Sequence, residues 1–421
     1  MNKVNLANNP IRAGGQGEST RRLGRPRGRL QDLAVAFGLT AALGCPVNAS
    51  AQTVKIGMIS TYSGPDAAFG ERMNRGVNLY MKLHQASLPP GVKVELITRD
   101  DGGPNADRAR ALAQEMIVRD KVQFLTGVVW TPNAMAMAPV VTEAKVPFMI
   151  MNAGASVITT RSPYIARFSY TMWQVTQPLG EWAAKKYRRA YIAVSDFSAG
   201  YDSEEAFERG FVSGGGQIVG KVRMPLVNPD FAPFMQKVKD VKPDVLYFFV
   251  PSGRLASGVL KAYADLGLPK EGIRLITSND ITTEEELTPE ALGVVSSLHY
   301  TASGNRAANK AFVEAYKREY GEHFYPEFVA EQAWDTMDAI YAAIREQKGV
   351  IDPDRTMEIV RNYRGDQSPR GPISIDPATR DIVHNIYLRE IRRVDGRVSN
   401  VELETIGTAV KDAWKETHKS P

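Results

Sequence analysis

One cysteine, five histidines and no long apolar run beyond the N-terminal region set the first limits on this 421-residue chain. Cys45 is the only thiol, so the chain can form no internal disulfide, and if Cys45 leaves with a leader cut after Ala51 the exported protein has no thiolate metal site either. His84, His299, His323, His384 and His418 are scattered, and none has metal-ligand spacing to another. After the first 51 residues no stretch reaches the roughly 18 unbroken apolar residues of a membrane span. Catalytic signatures are absent as well: there is no G-x-G-x-x-G after a strand, no G-x-x-x-x-G-K-[ST], no G-x-S-x-G and no H-E-x-x-H. A hydrolase or dehydrogenase would need one of these or a nucleophile–base pair. The acidic pair Asp100-Asp101 sits beside glycines and reads as a turn former, Gly214–Gly216 as a helix stop, and Glu284–Glu286 as a solvated face. No enzyme activity, metal or cofactor is expected.

Positive charge is also scarcer than the net +5 suggests. Lys3, Arg12, Arg21, Arg22, Arg25, Arg27 and Arg29 lie in the first 51 residues against Glu18 and Asp32, which leaves 45 basic and 45 acidic groups in the rest. A neutral body lacks the basic face that nucleic acid requires. The first 51 residues read as a secretory leader: basic groups ending at Arg29, the apolar run Leu33–Gly44, and Ala49-Ser50-Ala51 before a cut that precedes Gln52. A periplasmic destination follows. Ala42-Leu43-Gly44-Cys45 resembles a degenerate lipoprotein box and Thr20-Arg21-Arg22 a fragment of a twin-arginine signal, but each lacks flanking residues that such signals carry.

What is present is an alternation. Val54–Ser60 is an apolar run rich in β-branched residues, Ser63-Gly64-Pro65 breaks it, and helical spacing resumes at Phe69. The strand Lys93–Asp100, a helix over Ala106–Arg119, the strand Phe124–Val129, a helix to Ala144 and the strand Val146–Met151 repeat the pattern. A second series begins after Arg167-Phe168-Ser169, with a helix over Gln177–Tyr187, the strand Ala190–Ser195, a loop Asp196–Tyr201, a helix from Ser203, and strands at Gln217–Met224, Asp244–Val250 and Ile273–Thr277. Two long helices, Asn305–Tyr320 and Phe328–Gln347, and a mostly β tail complete the chain. The spacing predicts an α/β protein of two doubly wound, Rossmann-like lobes.

In such sheets ligands bind at the carboxyl edge, where the free N–H groups of helix N-termini point outward. The side chains predicted there are Thr61–Phe69, Trp130-Thr131 and Gly154-Ala155-Ser156 in the first lobe. Asp196–Tyr201, Pro251-Ser252 and Asn279-Asp280 take the same places in the second. Hydroxyls and helix-end amides facing aromatic walls would hold a small anionic or zwitterionic molecule without changing it.

These stretches resemble the type I periplasmic binding proteins, in particular the leucine/isoleucine/valine-binding family that serves ABC importers. The likeness is carried by VKIGMISTYSGPDAAFG (54–70), GVVWTPNAMAMAPVVTEAKVPFMIMNAGAS (127–156), SDFSAGYDSEEAFERGF (195–211), PDFAPFMQKVKDVKPDVLYFF (229–249) and AWDTMDAIYAA (333–343). It implies two lobes joined by three crossing strands near Ser169–Trp173, Leu298–Thr301 and Arg370–Ile375, with residues 53–170 plus 301–371 in one lobe and 171–300 plus 372–421 in the other. It also implies a monomer, a membrane permease as partner, and a small carboxylate ligand trapped by closure. A soluble sensor feeding a receptor or regulatory partner is the alternative. By the same resemblance Thr131, Gly154 and Ser156 stand at carboxylate-binding positions, Ala155 lies between them, and Phe69 and Tyr201 stand at aromatic wall positions. Three departures bear on specificity. Trp130 replaces a small residue, Pro251 replaces a tyrosine, and Asn279 or Asp280 matches the glutamate that meets a ligand ammonium. If Asp280 points inward, an amine partner is reasonable; if Asn279 does, nothing compels one. An indole near the anchor admits an aromatic acid as readily as leucine or valine.

Overall fold

The computed structural model describes residues 52–418. The expected leader, with Cys45 and the cut after Ala51, lies outside the described residues.

In the first half, strands β1 (Gln52–Ser60), β2 (Val92–Asp100), β3 (Phe124–Gly127), β4 (Phe148–Ile150) and β5 (Ile165–Arg167) alternate with helices α1 (Ala68–His84), α2 (Ala106–Glu115) and α3 (Thr131–Ala144). The strands pair in parallel in the order β2-β1-β3-β4-β5. The second half opens with α4 (Met172–Ala184), β6 (Arg189–Ser195), α5 (Ser198–Ser213), β7 (Gln217–Met224), α6 (Ala232–Val241), β8 (Val245–Phe249), α7 (Arg254–Asp265), β9 (Arg274–Thr277) and β10 (Val295–Leu298). Then come α8 (Ala307–Tyr320), α9 (Phe328–Glu346), α10 (Pro353–Arg361), the short strands β11 (Arg364–Gly365) and β12 (Ile373–Ile375), the hairpin β13 (Ile382–Val394) and β14 (Arg397–Val410), and α11 (Ala413–Thr417). The second sheet runs β11-β12-β13-β10-β9-β8-β6-β7, with β14 paired to β13.

Burial follows from the sheet type. β3, β4 and β8 are covered on both faces and read as unbroken apolar runs; Phe124, Phe148, Leu246 and Phe248 are all at most 1% exposed. The return segment packs on the first sheet: α9 lies along α1, and Tyr80 on α1 meets Trp334 and Tyr341 on α9 edge to face.

The crossings are fastened by one buried arginine. Arg370 donates to the carbonyls of Phe168 and Ser169 at 3.1 and 2.9 Å and pairs with Glu331 and Asp335 on α9 at 2.8 Å each. Tyr387 Oη donates to the Arg370 carbonyl at 2.6 Å. His299 and His384 stack beside it, and burial holds both well below the usual imidazole range, hence neutral.

Three local expectations change. The helix expected from Gln177 starts five residues earlier at Met172, which puts Trp173 inside α4 and not in a crossing strand. A capping box explains it: Thr171 accepts from Gln174 N–H while the Gln174 side chain accepts from Thr171 N–H, and this outweighs the helix-breaking tendency of Pro178. The expected loop Asp196–Tyr201 is already helical from Ser198. Gly200 permits this, because a Cβ there would lie 1.8 Å from the Ser195 carbonyl. Within the expected solvated run, Glu284 is half-buried, accepts from Asn400 N–H at 2.9 Å, and is pushed up to about 7 by burial.

Candidate functional site

A narrow cleft opens where the carboxyl edges of the two sheets face each other. Phe69, Val129, Trp130, Thr131, Asn152 and Gly154 line it from the first sheet's loops. Phe197, Ala199, Phe249, Pro251, Ser252 and Asn279 line it from the second, and Tyr170, Met172 and Phe328 close it near the crossings. This lining includes no charged side chain.

The first-sheet wall is built by strain and by a hydrogen-bond relay. After β3 the chain turns through Gly127 and Val128 at φ 95° and 62°. Positive φ is costly for a β-branched residue, and local bonds hold it: Val128 N–H donates to Ile59 O at 2.7 Å and its carbonyl accepts from Ala153 N–H at 3.2 Å. The turn delivers Trp130 and Thr131 to the cavity. The indole N–H donates to Thr61 Oγ1 at 2.9 Å, and that hydroxyl donates to Asp101 Oδ1 at 2.7 Å. Asp101 also accepts from Gly103 N–H and from Asn133 Nδ2. Burial raises its pKa, and these donors oppose the shift. The residue read from sequence as a turn former is therefore also the anchor of the relay that fixes Trp130. Phe69 meets the indole edge to face at 6.2 Å, while across the cavity Phe197 and Phe249 stack at 6.2 Å.

Two helix N-termini border the space. The first intrahelical bond of α3 is Ala134 N–H to Trp130 O, so the amides of Thr131 and Asn133 precede it. In α5 it is Tyr201 N–H to Phe197 O, which leaves the amides of Ser198, Ala199 and Gly200 ahead of it. Each terminus carries the positive end of its helix dipole. Asn152 Oδ1 and Ser252 Oγ, both buried atoms of the lining, have no hydrogen-bond partner among the described residues. Negative charge placed here would meet amides, hydroxyls and dipole ends, with no cation and no group suited to proton transfer or nucleophilic attack.

Of the residues singled out from sequence, Phe69, Trp130, Thr131, Gly154, Pro251 and Asn279 come together in this lining. Ala155, Ser156, Tyr201 and Asp280 lie outside it. The Ala155 carbonyl accepts from Arg167 at 2.6 Å. Ser156 is engaged across the lobes: its N–H donates to Asp202 on α5 at 2.7 Å and its hydroxyl to Asp412 at 3.1 Å. Burial pushes Asp202 up to about 6 and Asp412 up to about 7. Tyr201 sits on the outer face of α5, 40% exposed, bonded to Asp196 and covered by the Arg223 guanidinium. Its helical phase, once α5 starts at Ser198, turns it away. Asp280 faces a neighbouring small chamber and pairs with Arg389 at 2.6 Å. Phe197 and Ser252 come from the stretches 196–201 and 251–252 expected at this edge, whereas sequence reasoning missed Tyr170, Phe328 and Phe249 as site residues. Phe249 ends β8, a position the strand pattern already gave, but Tyr170 comes from the segment before α4 and Phe328 from the start of α9, and only the tertiary fold fixes their placement against the cavity.

Similar proteins agree with this architecture. The family model for periplasmic binding proteins matches residues 53–397. The Leu/Ile/Val-binding protein homolog 6 of Brucella abortus (strain 2308) is 39% identical over 362 residues, 85% of this chain and 92% of that protein. Among solved structures, the solute-binding protein of an ABC transporter from Rhodopseudomonas palustris BisB5, in complex with 3,4-dihydroxybenzoic acid, is 41% identical with a TM-score of 0.82, covering 86% of this chain and 99% of that one. Its counterpart from Rhodopseudomonas palustris HaA2, in complex with p-hydroxybenzoic acid, is also 41% identical, with a TM-score of 0.84 and coverage of 87% and 100%.

Proposed function

The chain belongs to the periplasmic binding proteins, and from that membership we propose that it captures a small aromatic carboxylate and delivers it to the permease of an ABC importer. It acts as a binder and not as an enzyme, works in the periplasm as a monomer, and closes two lobes, 53–170 plus 301–371 and 171–300 plus 372–421, over its ligand.

The observation that carries this reading is the lining itself: six aromatic rings, two helix N-termini and no charged side chain around one cleft. The carboxylate would lie near Thr131, Gly154 and the α3 N-terminus, and the ring between Phe69 and Trp130 on one side and Phe197 and Phe249 on the other. Contact with both lobes makes the closed form the tighter binder, so ligand shifts the balance toward it. A swing from 1:99 to 99:1 needs about 5.5 kcal/mol of differential affinity. Two or three hydrogen bonds to a carboxylate at roughly 1.5–3 kcal/mol each, with a buried ring, supply that much. The relatives complexed with hydroxylated benzoic acids, at 41% identity, support the aromatic choice over leucine or valine.

A thermal-shift screen tests the reading. Benzoate and its hydroxylated forms are expected to raise the melting temperature, since ligand at 100 times its Kd adds about 2.7 kcal/mol of stability. A shift with branched-chain amino acids alone would overturn it.

A further inference from the structure

Just beyond β9, two adjacent residues that can meet a cation or a neutral group face different spaces. Asn279 is on the cavity wall, with Nδ2 donating to Val250 O at 3.2 Å and Oδ1 accepting from Asp280 N–H at 2.9 Å. Those bonds fix a neutral amide toward the ligand. Asp280, the next residue, turns the other way into a separate chamber, and Phe328 walls both spaces. There its carboxylate meets the Arg389 guanidinium of β13 at 2.6 Å, with the two side chains 7% and 1% exposed. Arg389 is itself held by a bond from Nη1 to Tyr300 O at 2.9 Å.

The other acids around that chamber are also committed. Glu327 pairs with Arg72 at 2.7 Å, and Glu284 accepts from Asn400 N–H. Burial pushes the Asp280 carboxyl up while Arg389 opposes it, so whether paired or protonated it offers the cavity no free negative charge. An ammonium placed beside Asn279 would leave water without a counter-charge, a costly transfer in a buried site.

Resting on the reading of the cavity as a carboxylate site, we propose that the Asp280–Arg389 pair, with Asn279 in the wall position, makes this protein refuse amino acids. It accepts carboxylic acids that lack an ammonium group. Arg389 acts as a specificity-determining residue that never touches the ligand: it holds the Asp280 carboxylate in the neighbouring chamber, away from the cavity wall.

Calorimetry with two matched pairs tests this on the full chain: tyrosine against 3-(4-hydroxyphenyl)propionate, and leucine against 4-methylpentanoate. In each pair the acids differ only in the ammonium group. The deaminated member is expected to bind at least about 100-fold more tightly, or about 2.8 kcal/mol. Asn279→Asp, which puts a carboxylate on the wall, should narrow both ratios at least tenfold. Arg389→Met, which leaves Asp280 without its cation, should narrow them too, and the Asp280→Asn/Arg389→Met double variant should restore them. Amino acids binding within tenfold of their deaminated partners would overturn the proposal, whatever the aromatic acids do. If 4-methylpentanoate exceeds leucine 100-fold but no aromatic acid binds, the aromatic ligand is wrong and the refusal of amines stands. A folded Arg389→Met protein with unchanged ratios removes Arg389 from the mechanism. Should that variant fail to fold, the Asn279→Asp ratios decide: ratios that stay wide overturn the wall assignment. Silence from all four acids while 4-hydroxybenzoate binds overturns the proposal and leaves the carboxylate site standing; silence from 4-hydroxybenzoate as well removes both.

Discussion

Thr61→Val is the sharpest local perturbation, because it is isosteric and cuts the relay behind Trp130 at its middle. Thr61 is fully buried, Trp130 is 3% exposed, and the hydroxyl both accepts from the indole N–H at 2.9 Å and donates to Asp101 at 2.7 Å. Replacing it with a methyl leaves a buried N–H without an acceptor and removes one donor from a buried carboxylate. Each loss costs about 1–3 kcal/mol. The added methyl returns at most about 0.8 kcal/mol. A net destabilisation of roughly 1–6 kcal/mol is expected, a large share of the 5–15 kcal/mol typical of a domain. Freeing the indole should cost a further 0.5–1.5 kcal/mol or so in binding an aromatic acid, about a 2- to 12-fold weakening. Urea denaturation reads the first number and calorimetry with 4-hydroxybenzoate the second. Unchanged stability together with unchanged affinity would show that the relay neither holds the loop nor positions the indole.

Other outcomes follow from the same geometry. Thr131→Ala should weaken aromatic acids by about 1.5–3 kcal/mol through a lost bond to the carboxylate, whereas Ser156→Ala should act through the ties to Asp202 and Asp412. A calorimetric loss for Ser156→Ala equal to that for Thr131→Ala would place Ser156 back in the ligand shell. Burial raises Asp202 to about 6 and Asp412 to about 7 from an ordinary value of 3.8, so the folded arrangement binds protons more tightly than the unfolded chain. The stability tied to these groups is therefore full below pH 3.8 and lost as pH rises through 6 and 7. Between pH 5 and 8 the urea midpoint of the Asp202→Asn/Asp412→Asn variant should vary less than that of the parent, and equal slopes would refute the assignment. Arg370→Met leaves Glu331 and Asp335 without their cation and two crossing carbonyls without a donor. A loss of about 3–5 kcal/mol in chemical denaturation is expected, and a loss under 1 kcal/mol would contradict its place at the centre of the crossings.

The sequence carried the strand and helix alternation because parallel strands covered on both faces must be written in apolar runs. Phe124–Gly127 and Val245–Phe249 are such runs, and turn residues separate them from the helices. A third of the cavity lining was legible for the same reason: Trp130, Thr131, Gly154, Pro251 and Asn279 follow strand ends in the chain. What escaped depends on phase and on distance. A helix start displaced to Ser198 turns Tyr201 outward, and a guanidinium more than 100 positions away in the chain pairs with Asp280 while Asn279 lines the cavity. Thr171-Met172-Trp173-Gln174 spelled a capping box, a signal present in the residues but hidden by the proline that follows.

The most direct measurement is a calorimetric titration of the protein with 4-hydroxybenzoate, repeated on Thr131→Ala and on Phe249→Ala, one from each side of the cavity. One-to-one binding that weakens at least tenfold in both variants is predicted, because the ligand must touch both lobes. Binding that both variants leave intact, or no binding by any aromatic acid, would contradict the account.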